Sequence, residues 1–241
     1  MDEQIIYGRN AVTEALRSGK TVDTVYIQKT AKGLGGIIAL AKESGAVVKD
    51  AGDDKLAELS GGGKHGGVAA VLAAAEYASV QELLDIAKER GEPPFLIIAD
   101  EIQDPHNLGA IIRTAEAAGA HGVIIPKRRS AGLTATVFKT SAGAASWLRV
   151  ARVSNLPDTI KELKKAGIWV YGAEADGEPF YKADLSGPVA LVIGSEGFGL
   201  GRLVRDSCDM ILSIDMYGKV NSLNASVSAG ILMYEVVRHR R

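Results

Sequence analysis

The chain has 241 residues, 46% of them hydrophobic and 24% charged, a balance that excludes disorder as its main state. Its net charge of -1 gives no overall attraction for a polyanion, so any case for nucleic acid must rest on local clusters. A single cysteine, Cys208, excludes an intramolecular disulfide.

The longest apolar run, Val68 to Ala75, is eight residues, against about 20 for a membrane-spanning helix. The opening MDEQIIYGRN lacks the basic-then-apolar pattern of a secretory signal. A cytoplasmic location and no membrane contact are therefore expected.

The first segment alternates helical and β-rich patterns: a helix near Asn10 to Arg17, a strand at Thr24 to Gln28, a helix near Gly35 to Glu43 and a strand at Ala46 to Lys49. A helix near Asp53 to Leu59 and a strand at Val68 to Ala73 complete a small α/β unit. The glycine-dense run Gly61 to Gly67 reads as a flexible loop with Lys64 and His65 facing outward. Gly19-Lys20-Thr21 lacks the first glycine of a phosphate-binding loop and reads as a helix C-cap and turn. A helix from Ser79 to Gly91 ends in Glu-Pro-Pro, which a helix does not cross. The expected divisions are residues 1–75, a linker helix over 76–92, and a second domain over 93–241.

That second domain opens with Phe95 to Ala99, an apolar run suited to a strand buried on both faces. Runs at Val123 to Ile125, Ile168 to Tyr171, Val189 to Ile193 and Met210 to Ile214 are separated by helical patterns near 108–118, 156–166 and 199–205. A mostly parallel sheet with helices on both faces follows. The closing helix, Leu223 to Val237, carries an apolar stripe of Leu223, Val227, Ile231 and Tyr234, while Ala225, Ser226, Ser228, Ala229 and Gly230 leave the other positions small enough for close packing.

Ligands in such sheets bind past the carboxyl ends of the strands, so the loops there are the candidates. The first, Asp100 to Arg113, offers Asn107 as a helix cap, with Arg113 nearly two turns on and within reach of the same edge; a capped surface helix with a solvated arginine reads equally well. The second, Ile193-Gly-Ser-Glu-Gly-Phe-Gly-Leu200, precedes a helix but fails the dinucleotide pattern, because Val204 stands where a third glycine belongs and Glu196 would repel a pyrophosphate. The third, Ile214 to Asn224, enters the last helix, where Asn221 or Ser222 could cap.

His65, His106, His121 and His239 have no metal-ligand spacing with each other or with Cys208, so no metal is expected. Lys127-Arg128-Arg129 and the tail Arg238-His239-Arg240-Arg241 are basic clusters that could meet phosphate or simply be solvated. Trp147, Trp169 and the tyrosines read as core or edge packing.

Asp104-Pro-His-Asn-Leu-Gly-Ala-Ile-Ile-Arg-Thr-Ala115, Ile193-Gly-Ser-Glu-Gly197 and Ile214-x-Met-x-x-x-Val-Asn-Ser-Leu-Asn-Ala-Ser226 resemble, in order, the three motifs of the SpoU, or TrmH, class of S-adenosylmethionine-dependent RNA ribose 2′-O-methyltransferases. The first segment is similar to the L30e-like RNA-binding domain found in many members. That layout resembles the members acting on a guanosine of large-subunit (23S) ribosomal RNA more than the transfer RNA enzyme. The resemblance implies a trefoil knot, a homodimer, and S-adenosylmethionine held by Gly194, Ile214, Met216 and Leu223. It implies active-site roles for Asn107, Arg113, Glu196, Ser222 and Asn224, with Arg9, Lys127, Arg128 and Arg129 on the RNA. Methylation of transfer RNA or of another ribosomal site, and RNA binding without catalysis, remain the alternatives.

Overall fold

The computed structural model describes residues 4–18 and 20–241 and divides into two compact units. One comprises the chain up to Glu76 together with Gly132–Thr136, the other Tyr77–Ala131 and Val137–Arg241.

The first unit runs β1 (Ile5–Tyr7), α1 (Arg9–Arg17), β2 (Val22–Ile27), α2 (Gly35–Glu43), β3 (Val47–Asp50), α3 (Asp53–Ser60) and β4 (Val68–Leu72). Its sheet has the order β1-β4-β2-β3, with only β2 and β3 parallel. Val12, Leu16, Val25, Ile27, Leu34, Ile37, Val68 and Ala70 fill its core. Each helix turns one apolar stripe inward, and β4 is buried along its whole length.

The glycine run after α3 is a packed turn instead of the flexible loop expected. A Cβ on Gly63 would lie 2.7 Å from the Tyr7 ring, and one on Gly67 2.5 Å from Ala31, so bare backbone is needed for close approach. Lys64 is exposed, but His65 turns inward: its Nδ1 accepts from the Gly67 N–H at 3.2 Å and its Nε2 lies 3.5 Å from Asp53. The cap of α1 is Ser18; Gly19, in the turn read at 19–21, lies outside the described residues.

The second unit contains α4 (Val80–Arg90), β5 (Phe95–Ala99), α5 (Pro105–Ala117), β6 (Gly122–Pro126), α6 (Ala135–Thr140), β7 (Val150–Val153), α7 (Leu156–Lys165), β8 (Trp169–Pro179), β9 (Val189–Ile193), α8 (Arg202–Ser207), β10 (Met210–Ser213) and α9 (Ala225–His239). The first two residues of α6 group with the first unit. Six parallel strands are ordered β10-β8-β9-β5-β6-β7, the parallel sheet flanked by helices that the apolar runs predict.

The helix read as a linker, α4, is part of this unit, because Leu83 is fully buried among Leu96, Ile98 and Ile124. A capping box starts it: Glu82 N–H donates to Ser79 Oγ at 3.2 Å, and Ser79 N–H donates to Glu82 Oε2 at 2.6 Å.

The last helix presents a different face from the one expected. Ala225, Ala229, Leu232, Met233 and Val236 are buried, whereas Val227 and Tyr234 are about half exposed. This face goes inside because α9 packs against α5 and β9, where Ala225, Ala229 and Gly230, beside Thr114, allow close approach and Leu232, Met233 and Val236 fill the contact.

The amino-terminal ends of β5 and β9 are held by Arg240 and His121, for which the sequence suggests no structural role. Arg240 donates to the carbonyls of Pro93, Pro94 and Gly187 at 2.7–2.9 Å and lies over the Phe95 ring. Arg238 is paired with Glu235, so the basic tail is largely committed to structure and not free for phosphate. His121, with no exposed side-chain surface, accepts the Phe95 N–H on Nδ1 at 2.9 Å and faces Glu92 through Nε2 at 3.0 Å.

Burial holds the His121 pKa below its ordinary value despite Glu92. The unfolded chain takes up a proton near pH 6.5, while the folded chain does so only at lower pH. Stability should therefore be flat above about pH 6.5 and fall as pH drops below it. Thermal melts from pH 8 to 5 check this, and a His121→Asn variant should show a weaker acid slope.

Candidate active site

Three loops leave the carboxyl ends of β5, β9 and β10, where ligands bind in parallel α/β sheets. The first contains the start of α5. Its cap is Asp104, whose Oδ1 accepts the His106 N–H at 2.9 Å, and Pro105 occupies the first helical position. Asn107, expected as the cap, therefore sits in the first turn with its side-chain amide free for other partners.

The second loop is a closed turn. Ser195 and Gly199 exchange both backbone hydrogen bonds, at 3.0 and 3.1 Å, leaving Glu196, Gly197 and Phe198 at the tip. A Cβ on Gly194 would stand 2.3 Å from the carbonyl carbon of Gly199, and Gly197 and Gly199 have φ of +90° and +63°. Each glycine is thus required by close approach or by conformation.

The third loop ends at Asn224, which caps α9. Its Oδ1 accepts the N–H groups of Ser226 at 2.9 Å and Val227 at 3.3 Å. Capping by Asn221 or Ser222 does not occur; both lie earlier in the loop and are exposed.

These loops bring three of the expected residues into contact. Asn107 Nδ2 donates to Glu196 Oε1 at 3.0 Å, and Asn224 Nδ2 donates to Asn107 Oδ1 at 2.9 Å. Asn224 Nδ2 also meets Glu196 Oε1, and the Ala225 N–H approaches that oxygen at 3.4 Å. Glu196 thus lies at the positive end of the α9 dipole with Oε1 fully engaged. Its Oε2 makes no hydrogen bond among the described residues, so it is the oxygen left for a ligand.

Arg113 does not join this cluster. Six residues of α-helix advance about 9 Å and rotate about 240° from Asn107, so Arg113 stands nearly two turns further along α5. Arg113 is exposed and without an ion pair or hydrogen bond among the described residues. Ser222 likewise makes no hydrogen bond to the cluster.

Gly194 contributes backbone to the closed turn, and Ile214, Met216 and Leu223 are half-buried. No lysine or arginine occurs from Gly194 to Gly201. A lining of backbone, apolar side chains and carboxylate suits a cationic sulfonium attached to an adenosine.

Among the basic candidates, Arg9 donates to the Gly66 carbonyl at 2.9 Å and Arg129 is paired with Glu101 at 3.0 Å. Lys127 is half-buried and Arg128 exposed. Trp147 is 82% exposed, contrary to the packing expected, and Trp169 is half exposed and stacks on Tyr171.

Sequence reasoning missed two carboxylates. Asp100, at the end of β5, accepts the Gly201 N–H at 2.8 Å, and Glu174, in β8, accepts the Leu200 N–H at 2.6 Å. An acid directly after a fully apolar strand was the signal for Asp100; nothing in the sequence pattern marks Glu174. Burial pushes the Cys208 thiol up to about 12, which removes it as a nucleophile near neutral pH. No group of three or more His, Cys, Asp or Glu able to hold a metal occurs among the described residues, and no helix there is long and apolar enough to cross a membrane.

An acid and two amides gather past the carboxyl ends of a six-stranded parallel sheet, where α/β proteins of this architecture bind their ligands. The sequence pattern of the SpoU rRNA methylase family matches residues 94–234, and that of the RNA 2′-O ribose methyltransferase substrate-binding domain matches residues 5–78. The chain belongs to the SpoU rRNA methylase family and is an RNA methyltransferase. It is 50% identical to YacO of Bacillus subtilis, named as a TrmH family tRNA/rRNA methyltransferase, over 98% of this chain and 95% of that protein. Among solved structures, an AdoMet-bound rRNA methyltransferase from Sinorhizobium meliloti has a TM-score of 0.62 at 25% identity, covering 98% of this chain and 87% of its own. The SpoU methyltransferase AviRb of Streptomyces viridochromogenes, in complex with AdoMet, also has a TM-score of 0.62, at 26% identity, covering 99% and 90%.

Proposed function

We propose that this protein transfers a methyl group from S-adenosylmethionine to the 2′-hydroxyl of a ribose in RNA, on a guanosine of 23S ribosomal RNA. The observation that carries the reading is the contact of Asn107, Glu196 and Asn224, three residues supplied by three separate strand-end loops. An RNA substrate is supported by the substrate-binding domain at residues 5–78, and the choice of ribosomal over transfer RNA follows the resemblance of that two-domain layout.

S-adenosylmethionine supplies an electrophilic methyl group on a sulfonium. Gly194, Ile214, Met216 and Leu223 are the residues assigned to hold it, through backbone groups and apolar contact. In-line displacement then requires the ribose oxygen to be held near-attack and relieved of its proton. Asn107 and Asn224 fix the Glu196 carboxylate so that Oε2 accepts a hydrogen bond from the substrate. Ser222 lies in the loop just before Asn224 and contributes a hydroxyl.

Arg113 is assigned to the adjacent phosphate. A guanidinium with a pKa above about 12 keeps its proton, so its part is electrostatic, stabilising the developing alkoxide while the proton leaves through water. Arg113→Lys keeps the charge but loses the fork geometry, and should lower kcat without altering the pH-rate profile. Arg9, Lys127, Arg128 and Arg129 are assigned to the RNA backbone; Lys127 and Arg128 make no side-chain hydrogen bond or ion pair among the described residues.

A homodimer and a knotted carboxyl-terminal crossover belong to the same reading, as does a cytoplasmic location alongside the RNA. The outward face of α9, with Val227, half-buried Ile231 and Tyr234, supports the dimer. Tyr234→Glu should shift the protein from dimer to monomer in size-exclusion chromatography with light scattering.

The substrate is tested by primer extension at low dNTP on RNA from cells with and without the protein. A stop lost from 23S RNA alone supports the reading. A change in transfer RNA alone would replace it with the transfer RNA alternative.

A further inference from the structure

We propose that Asp100 and Glu174 form a two-carboxylate clamp that holds the Glu196 loop in its working shape, making them positioning residues for methyl transfer. The inference rests on the methyltransferase reading above and extends it to residues that do not touch the substrate.

Strand β9, which carries the Glu196 loop, lies between β5 and β8. Each neighbour sends one acid to the loop's exit. Glu174 from β8 takes the Leu200 N–H at 2.6 Å, and Asp100 from the end of β5 takes the next N–H, that of Gly201, at 2.8 Å. The strand ends are themselves joined, since the Asp100 N–H donates to the Ile193 carbonyl at 2.8 Å.

Two details show that the loop is shaped around the clamp. The Glu174 carboxylate lies where a side chain on residue 199 would be, 2.4 Å from an ideal Cβ on Gly199. Gly201, which caps α8, has no side-chain cap of its own, so the Asp100 carboxylate stands in for one by taking the Gly201 N–H at the helix start. Asp100 is 4% exposed. Its burial raises the carboxyl pKa, while the Gly201 N–H opposes that rise, so the hydrogen bond helps keep the group ionised.

The mechanical consequence concerns Glu196. Gly199 closes the turn by exchanging two hydrogen bonds with Ser195, and Leu200 anchors it with a buried side chain. Freeing the amides of Leu200 and Gly201 loosens the exit of that turn. The position of Glu196 against Asn107 and Asn224 is then less sharply defined, and near-attack geometry is sensitive to displacements of about 1 Å.

The test uses the full chain with Asp100→Ala, Asp100→Asn, Glu174→Ala and Glu174→Gln. The asparagine and glutamine variants each keep an oxygen that can accept the same amide. Both alanine variants should lose between about tenfold and a hundredfold in kcat, with KM for RNA within about twofold of wild type. The amide-retaining variants should recover to within about threefold. Hydrogen exchange supplies a readout independent of activity: the amides of Leu200 and Gly201 should exchange faster in the alanine variants and regain protection in Asp100→Asn and Glu174→Gln, while those of Phe95–Ala99 stay protected throughout.

The clamp is overturned if both alanine variants keep wild-type kcat, if exchange at Leu200 and Gly201 does not change, or if the amide-retaining variants are as impaired as alanine. Should Asp100→Ala fail to fold, the half-buried Glu174 pair decides alone. A wild-type chain that transfers no methyl group would overturn the functional reading instead, and the exchange data would still judge the clamp.

Discussion

Glu196→Ala should lower kcat by about 10²–10³, with little change in RNA affinity. The carboxylate is held on one oxygen by two asparagine amides and the first amide of α9, and presents the other outward. Removing it deletes the acceptor aimed at the substrate and leaves Asn107 Nδ2 without its partner. Glu196→Gln keeps the Oε1 contacts but removes the charge, so it separates geometry from electrostatics. A loss of about tenfold is expected there, smaller than for alanine because the amide oxygen still takes the Asn107 and Asn224 hydrogen bonds. Single-turnover rates with saturating cofactor and RNA make the measurement. An alanine variant within threefold of wild type would remove Glu196 from the active machinery.

A companion change probes the same cluster through pH. Asn107→Asp places a second carboxylate against Glu196, where the wild-type amide lies at 3.0 Å. Two like charges at that distance favour sharing one proton, which raises the apparent pKa of the pair. The acidic limb of the pH-rate profile should therefore move to higher pH, with activity lost as pH falls through a range where the wild type is still active.

Much of the fold follows from apolar runs. Strands β5 and β9 occupy the expected residues because five consecutive buried side chains suit only a strand covered on both faces. Helix α2 matches in the same way. Where local pattern carries little information, elements escape notice. Strand β1 is three residues long and exists through its pairing with β4. Helix α6 and strand β7 lie in a stretch whose first residues, Gly132–Thr136, group with the other unit, a long-range fact invisible in any window.

In α9 the close packing expected of the small residues holds for Ala225 and Ala229, which are buried, whereas the stripe residues Val227 and Tyr234 stay half exposed because α9 meets α5 and β9 through its other face. In the site, Asn107, Glu196 and Asn224 were legible as a set because three loops leave strand ends that the sheet must bring together. Arg113 is one helical step too far along α5 to share the hydrogen bonds that join those three. Glu174 was illegible because it is in the irregular part of β8, where the pairing with β10 shifts register.

Gly194→Ala should abolish cofactor binding at concentrations that saturate the wild type, through the backbone and not through any lost side-chain contact. The new Cβ would sit 2.3 Å from the Gly199 carbonyl carbon and 2.6 Å from the Leu200 nitrogen, where apolar carbon contacts settle near 3.5–4.0 Å. Neither neighbour is the end of a flexible side chain, so the turn itself must move by about 1 Å, and Glu196 moves with it. A displacement of that size at a catalytic group costs about a hundredfold in rate. The other glycines of the site grade the effect. Gly197→Ala meets open space but must hold φ at +90°, a strain of about 1–2 kcal/mol that weakens the loop without blocking it. Gly218 has nothing within 4 Å of a Cβ and no unusual φ, so Gly218→Ala should behave as wild type. Isothermal titration with S-adenosylmethionine, read beside the melting temperature of each variant, should rank binding as Gly218→Ala, then Gly197→Ala, then Gly194→Ala. Wild-type affinity in Gly194→Ala would mean that the closed turn does not govern the cofactor site.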